Sequence, residues 1–230
     1  VVGAYFCIGY TFTFGSEIIS NLSLSACPGV KSGLPPFSYA ISSWEPQRLV
    51  WQLALIAHIP PRVIIVLTCP QIWLPGAGRV WLYSGCIIEV FSLVLLTVFH
   101  VDSILGFHAH AAFFATWAIG AFISMGITLH LSRLTGMKDR NSMFHSFFVI
   151  KCCLFVLFAL AVLGVTIFYP ISQRLCLTWA FSIFCVCEYS IVGLNVGFYA
   201  FCLHEISTAF AGFRISCVPH GEEEKTQVEN

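Results

Sequence analysis

Apolar residues come in long runs separated by short polar stretches, with windows near 1–19, 49–70, 79–101, 109–131, 146–169 and 177–201. Each is long enough, or nearly so, to cross a hydrocarbon core of about 30 Å, which takes roughly 20 helical residues. The strict alternation of barrel strands is missing, and unpaired backbone cannot face lipid. The pattern therefore predicts an all-α polytopic membrane protein, six transmembrane helices in one bundle. The first run, VVGAYFCIGYTFTFG, opens already inside apolar sequence without a basic leader or small-residue cleavage site, and is expected to be a truncated helix. The expected organisation is a transmembrane domain over 1–205, with a lumenal loop at 20–48, and a cytosolic tail over 206–230. Proline, glycine and serine in the loop predict an irregular cap without helix or strand of its own. The charged end of the tail, GEEEKTQVEN, predicts disorder.

Composition agrees with this pattern: 58% of residues are hydrophobic, 10% are charged, and the mean hydropathy is +0.86. A formal net charge of zero and the lack of a basic tract argue against a nucleic-acid partner. Lys and Arg set the orientation. Arg79, Arg133, Lys138, Arg140, Arg214 and Lys225 flank one side, against Lys31, Arg48 and Arg174 on the other, so the richer side is expected to be cytosolic. Asn21-Leu22-Ser23 is then a glycosylation sequon in the first lumenal loop. Of the eleven cysteines, only Cys27 and Cys176 fall in lumenal loops, which predicts a disulfide between them.

Candidate chemistry lies in the polar residues that the spans enclose. A charge inside a bilayer costs about 2.5–3.5 kcal/mol on insertion scales, so it is expected to face the bundle or a wet cavity. Counted from the lumenal helix ends at about 1.5 Å per residue, Arg62, Glu89 and Glu188 lie about 20, 18 and 17 Å deep, on three different helices. His58 is one turn above Arg62 on the same face, which favours a neutral ring able to act as hydrogen-bond partner or base. Pro60 and Pro61 lack the donors for the carbonyls of Ile56 and Ala57, predicting a kink whose freed acceptors Arg62 can reach. Glu188, Asn195 and Tyr199 form one stripe, and His108 and His110 stand where the fourth span begins. Together these outline a polar pocket open toward the lumenal leaflet. The competing account is a structural ion network that fixes helix register and binds nothing. There is no GxSxG, HExxH or Walker sequence, and no clustered metal-ligand set, so no metal or cofactor is expected.

Several stretches resemble the Frag1/DRAM/Sfk1 group of six-span proteins, in its branch associated with glycosylphosphatidylinositol (GPI) anchors. They are CPGVKSGLPPFSYAISSWEPQRLVW, HIPPR, a mid-span glutamate with His108 nineteen residues on, and CEYSIVGLNVGF, and the likeness runs from about Cys27 to Glu205. One departure is Tyr199, where that pattern leads us to expect a histidine. The resemblance implies a Golgi membrane protein, with the endoplasmic reticulum as the other compartment, needed to reacylate lyso-GPI on GPI-anchored proteins. Its implied partners are that lipid and its neighbours in the membrane, and the acyl donor is unspecified. In this reading Arg48 meets an anionic phosphate at the lumenal rim, and Arg62, Trp51, Tyr189 and Asn195 complete the substrate-binding set. His58 or His108 serves as general base, while Glu89 and Glu188 hold Arg62 and orient the histidine. Two alternatives stay open: a non-catalytic factor that presents lipid to a separate transferase, and a DRAM-like lysosomal or autophagy membrane protein.

Overall fold

The structure is a computed structural model describing residues 2–15, 23–24, 27–31, 34–42, 45–73, 77–99, 106–134 and 142–216. Seven helices are present among the described residues: α1 (Val2–Phe14), α2 (Phe37–Ser42), α3 (Gln47–Trp73), α4 (Ala77–Val98), α5 (Gly106–Leu134), α6 (Ser142–Leu175) and α7 (Thr178–Ser216). Five of them, α3 to α7, are long and apolar enough to cross a membrane. The protein is thus a helical membrane bundle. The expected first span is α1, whose 13 residues rise only about 20 Å. It is nevertheless bound into the bundle. Gln47 Nε2 donates to Thr11 Oγ1 at 3.3 Å, and the Cys7 thiol donates to the Gln47 carbonyl at 3.4 Å.

Two expectations need correction. The loop expected to be irregular contains an antiparallel ribbon, β1 (Ser23–Leu24) with β2 (Cys27–Lys31), followed by α2. Polar composition hid them, because short elements held by tertiary contacts need little propensity of their own. Pro60 and Pro61 lie inside α3, which runs as one helix from Gln47 to Trp73. The last helix continues to Ser216, past the boundary expected at residue 205, because the stretch after Glu205 keeps the composition of a helix and contains no proline until Pro219.

Cys27 and Cys176 are disulfide-bonded, with their Cα atoms 5.4 Å apart. The bond fastens the ribbon to the tight turn between α6 and α7. Cys176 occupies that turn at φ 52°, a left-handed conformation uncommon for a non-glycine residue. The sequon at Asn21 lies outside the described residues.

The core collects buried Leu93, Trp117, Met125, Phe158, Ile191 and Phe198 between the long helices. Small residues allow close approach where a bilayer supplies no hydrophobic drive between helices. At Gly120 of α5, an added Cβ would stand 2.9 Å from the backbone nitrogen of Glu89 on α4. Gly120 therefore decides how near α5 comes to the backbone that carries this glutamate. Gly120→Ala is expected to destabilise the protein by about 1–3 kcal/mol through overpacking. Gly9→Ala, at a position with nothing within 4 Å, is the neutral control. Unfolding in detergent checks both, and equal stability of the two variants would contradict the close approach.

Candidate functional site

The site begins on one face of α3. Arg48, Trp51, Leu55, His58 and Arg62 recur at helical spacing and line a cavity of about 420 Å³. Glu188, Tyr189 and Asn195 of α7 face them across it, and α2 contributes Phe37 and Ser38. Leu93, Leu96, Phe114 and Trp117 supply an apolar wall from α4 and α5. On α3, α4 and α5 the lining residues sit in the parts nearest the disulfide-bearing end, and on α7 they run through the middle of the helix from Glu188 to Ala200.

At the deep end, Arg62 is 2% exposed and Glu89 is fully buried. One terminal nitrogen of the guanidinium, Nη1, donates to Glu89 Oε1, and the other, Nη2, donates to Asn195 Oδ1. Glu89 also accepts from Asn195 Nδ2 at 3.0 Å and from the Tyr199 hydroxyl at 2.6 Å. The Tyr199 ring lies under the guanidinium, 4.4 Å from its carbon, adding cation–π attraction. Every charge in this cluster is therefore matched, as survival in a low-dielectric interior requires. Tyr199, which stands where a histidine was expected, is a donor and a platform.

Arg62 Nε donates to His58 Nε2 at 2.7 Å. Arginine has no acceptor to offer, so the histidine nitrogen must be the acceptor, and the neutral ring carries its proton on Nδ1. His58 is thereby held as a donor. The carbonyls expected to open at Ile56 and Ala57 are not what Arg62 binds, because all three of its nitrogens go to side chains.

Glu188 departs from expectation. Its carboxylate accepts from the backbone nitrogen of Phe37 at 2.8 Å and so caps α2. Asn195, seven residues or about 10 Å farther along α7, fills the place by Arg62 expected for Glu188. Phe37 itself is clasped edge-on by Trp51 and Tyr189, with ring centroids 5.5 and 5.2 Å away. Arg48 stands at the mouth, 4.0 Å from Glu45. Of the nine catalytic and substrate-binding candidates, Arg48, Trp51, His58, Arg62, Glu188, Tyr189 and Asn195 line the cavity. Glu89 stands behind Arg62. His108 does not join them: it is exposed beside Phe107, and His110, two residues on, is the one that lines the cavity.

With this geometry in place, comparison with known proteins is informative. Residues 2–209 match the family described as the Frag1/DRAM/Sfk1/Cwh43P N-terminal domain. The chain belongs to this family. Over 203 residues it is 25% identical to a Xenopus tropicalis protein named Acyltransferase PGAP2, covering 84% of this chain and 78% of that one. It is 23% identical over 210 residues to a Caenorhabditis elegans protein named Post-GPI attachment to proteins factor 2, covering 83% and 79%. A Drosophila melanogaster protein of that same name is 35% identical over 63 residues, 27% of this chain and 23% of its own. No solved structure matches the chain.

This family member also holds a second ionic cluster that sequence reasoning missed. Lys151 Nζ donates to Glu205 Oε2 at 2.5 Å and to Ser132 Oγ at 3.1 Å, with Lys151 fully buried. The signal was present: a lysine inside the run FFVIKCCLFVLF needs a partner on a neighbouring helix. It lies toward the other end of the bundle, away from the level of Arg62.

Removing one member of the Arg62–Glu89 pair strands a buried charge. Glu89→Met or Arg62→Met alone is expected to cost about 3–5 kcal/mol, and the double variant Arg62→Met with Glu89→Met to cost less than the two single costs added together. A double-mutant cycle by unfolding in detergent measures this, and strict additivity would show that the two side chains do not interact.

Proposed function

We propose that this protein serves fatty-acid reacylation of lyso-GPI on GPI-anchored proteins, working in the Golgi membrane with its disulfide end in the lumen. The observation that carries the reading is one cavity in the membrane that joins an apolar wall to a cationic mouth and an acid–donor pair. Such a lining suits an amphiphile: Arg48 for its phosphate, Leu93, Leu96 and Phe114 for a chain, His58 and Glu188 for the polar atoms between. The names of the relatives, an acyltransferase and post-GPI attachment factors, support the same direction. A disulfide persists in an oxidising compartment, which agrees with a lumenal working face.

Acyl transfer to a lipid hydroxyl needs a group to take its proton and a donor for the oxyanion that forms on the acyl carbonyl. Glu188 takes the proton. His58, fixed by Arg62 as a donor at Nδ1, faces the oxyanion. Arg62, Glu89, Asn195 and Tyr199 hold that tautomer. A second reading, a factor that presents lipid to a separate transferase, draws on a specific observation: Glu188 already accepts from the backbone of Phe37 and His58 Nε2 already accepts from Arg62.

The experiment is lipid analysis of GPI anchors from cells lacking the protein and then re-expressing it at equal levels. Wild type is expected to restore two-chain anchors. Glu188→Gln is expected to reduce restoration about 100-fold, and Arg48→Ala about tenfold through loss of a charge-assisted bond. Full restoration by Glu188→Gln and Arg48→Ala alike would remove the cavity from the process.

A further inference from the structure

The acyl donor follows from the shape and charge of the same cavity, on the reading that reacylation takes place there. Along α3 the cavity extends from Arg48 to Arg62, 14 residues or about 21 Å. A volume of about 420 Å³ has room for an alkyl chain and the polar atoms beside it. Toward the opposite end of the bundle the lining reaches Val196, Gly197 and Ala200 of α7, and the core there is packed with buried Met125, Phe158, Phe198 and Cys202. Below them sits the closed Lys151–Glu205 pair. Among the described residues, this packing stands between that face and the polar groups His58 and Glu188.

The electrostatics exclude a second class of donor at the open end. An acyl thioester of a nucleotide carries several phosphates and needs a strongly basic seat. The lining offers two arginines against Glu188. Arg62 is neutralised by Glu89, and Arg48 lies 4.0 Å from Glu45. This is a seat for one phosphate. The apolar wall, by contrast, accepts a chain directly from the bilayer.

We infer that the acyl donor is a diacyl glycerophospholipid of the surrounding membrane, and that the reaction is a transacylation. The free hydroxyl of the lyso-lipid attacks the donor's ester carbonyl, forming one carbon–oxygen bond. The donor's ester carbon–oxygen bond breaks, and the proton taken by Glu188 passes to the departing glycerol oxygen. The products are the two-chain anchor and one lysophospholipid, with no nucleotide consumed. Room for one chain is sufficient, since the same acyl chain stays in the cavity while its bond moves from one oxygen to the other. All remaining tails stay in lipid.

The test uses the purified full chain in liposomes with a lyso-GPI-anchored reporter protein. One arm contains phosphatidylcholine with an isotope-labelled acyl chain and no thioester. The other contains labelled stearoyl-CoA in liposomes of ether-linked phosphatidylcholine, which has no transferable chain. Label is expected to reach the reporter in the first arm alone, with one lysophosphatidylcholine released per chain transferred, and Glu188→Gln is expected to lower the transfer at least tenfold. Transfer in the thioester arm alone would overturn the donor assignment and leave reacylation by this protein standing. Transfer in neither arm, with the reporter still bound, would overturn both.

Discussion

The structure depends on the placement of one arginine. A guanidinium midway through a bilayer has no water to solvate it, and it cannot lose its proton to escape the cost. Arg62 therefore dictates what surrounds it: a carboxylate from α4, an amide and a phenol from α7, and an imidazole one turn above on α3. Three helices are fixed in rotation and depth by these bonds. Gly120 lets α5 close against α4 directly behind the glutamate.

The same bonds determine chemistry. An imidazole that accepts from arginine presents an N–H on its other nitrogen, so the cluster turns His58 from a candidate base into a donor. Glu188, released from any duty toward Arg62, is left in the cavity wall with its carboxylate capping α2. The roof formed by Phe37 and Ser38 is thereby joined to the acidic group beneath it, while the disulfide holds the preceding ribbon to the α6–α7 turn.

Seen along α7, polar residues fall in three tiers separated by apolar packing. Glu188 is near the disulfide end, Asn195 and Tyr199 lie at the Arg62 level, and Glu205 meets Lys151 toward the other end. Only the first two border the cavity's open space or hold the residues that do. The third is a compact ion pair outside the cavity lining.

Much of this was legible in the sequence, and for a physical reason. A bilayer admits few solutions: apolar runs must be helices, buried charges must find opposite charges, and cysteines restricted to one side tend to join. Hydropathy and the cost of burying charge were thus enough to identify the bundle, the Cys27–Cys176 bond, the pairing of Arg62 with Glu89, and His58, Arg62, Glu188 and Asn195 of the cavity, while Arg48, Trp51 and Tyr189 came with the family resemblance. They could not tell Glu188 from Asn195 as the second partner of Arg62, or His108 from His110 at the wall. Those choices turn on differences of one or two helical turns and on which face each helix rotates inward. Counting residues from loosely defined helix ends does not resolve such differences, whereas the packing of α3, α4 and α7 around one guanidinium does.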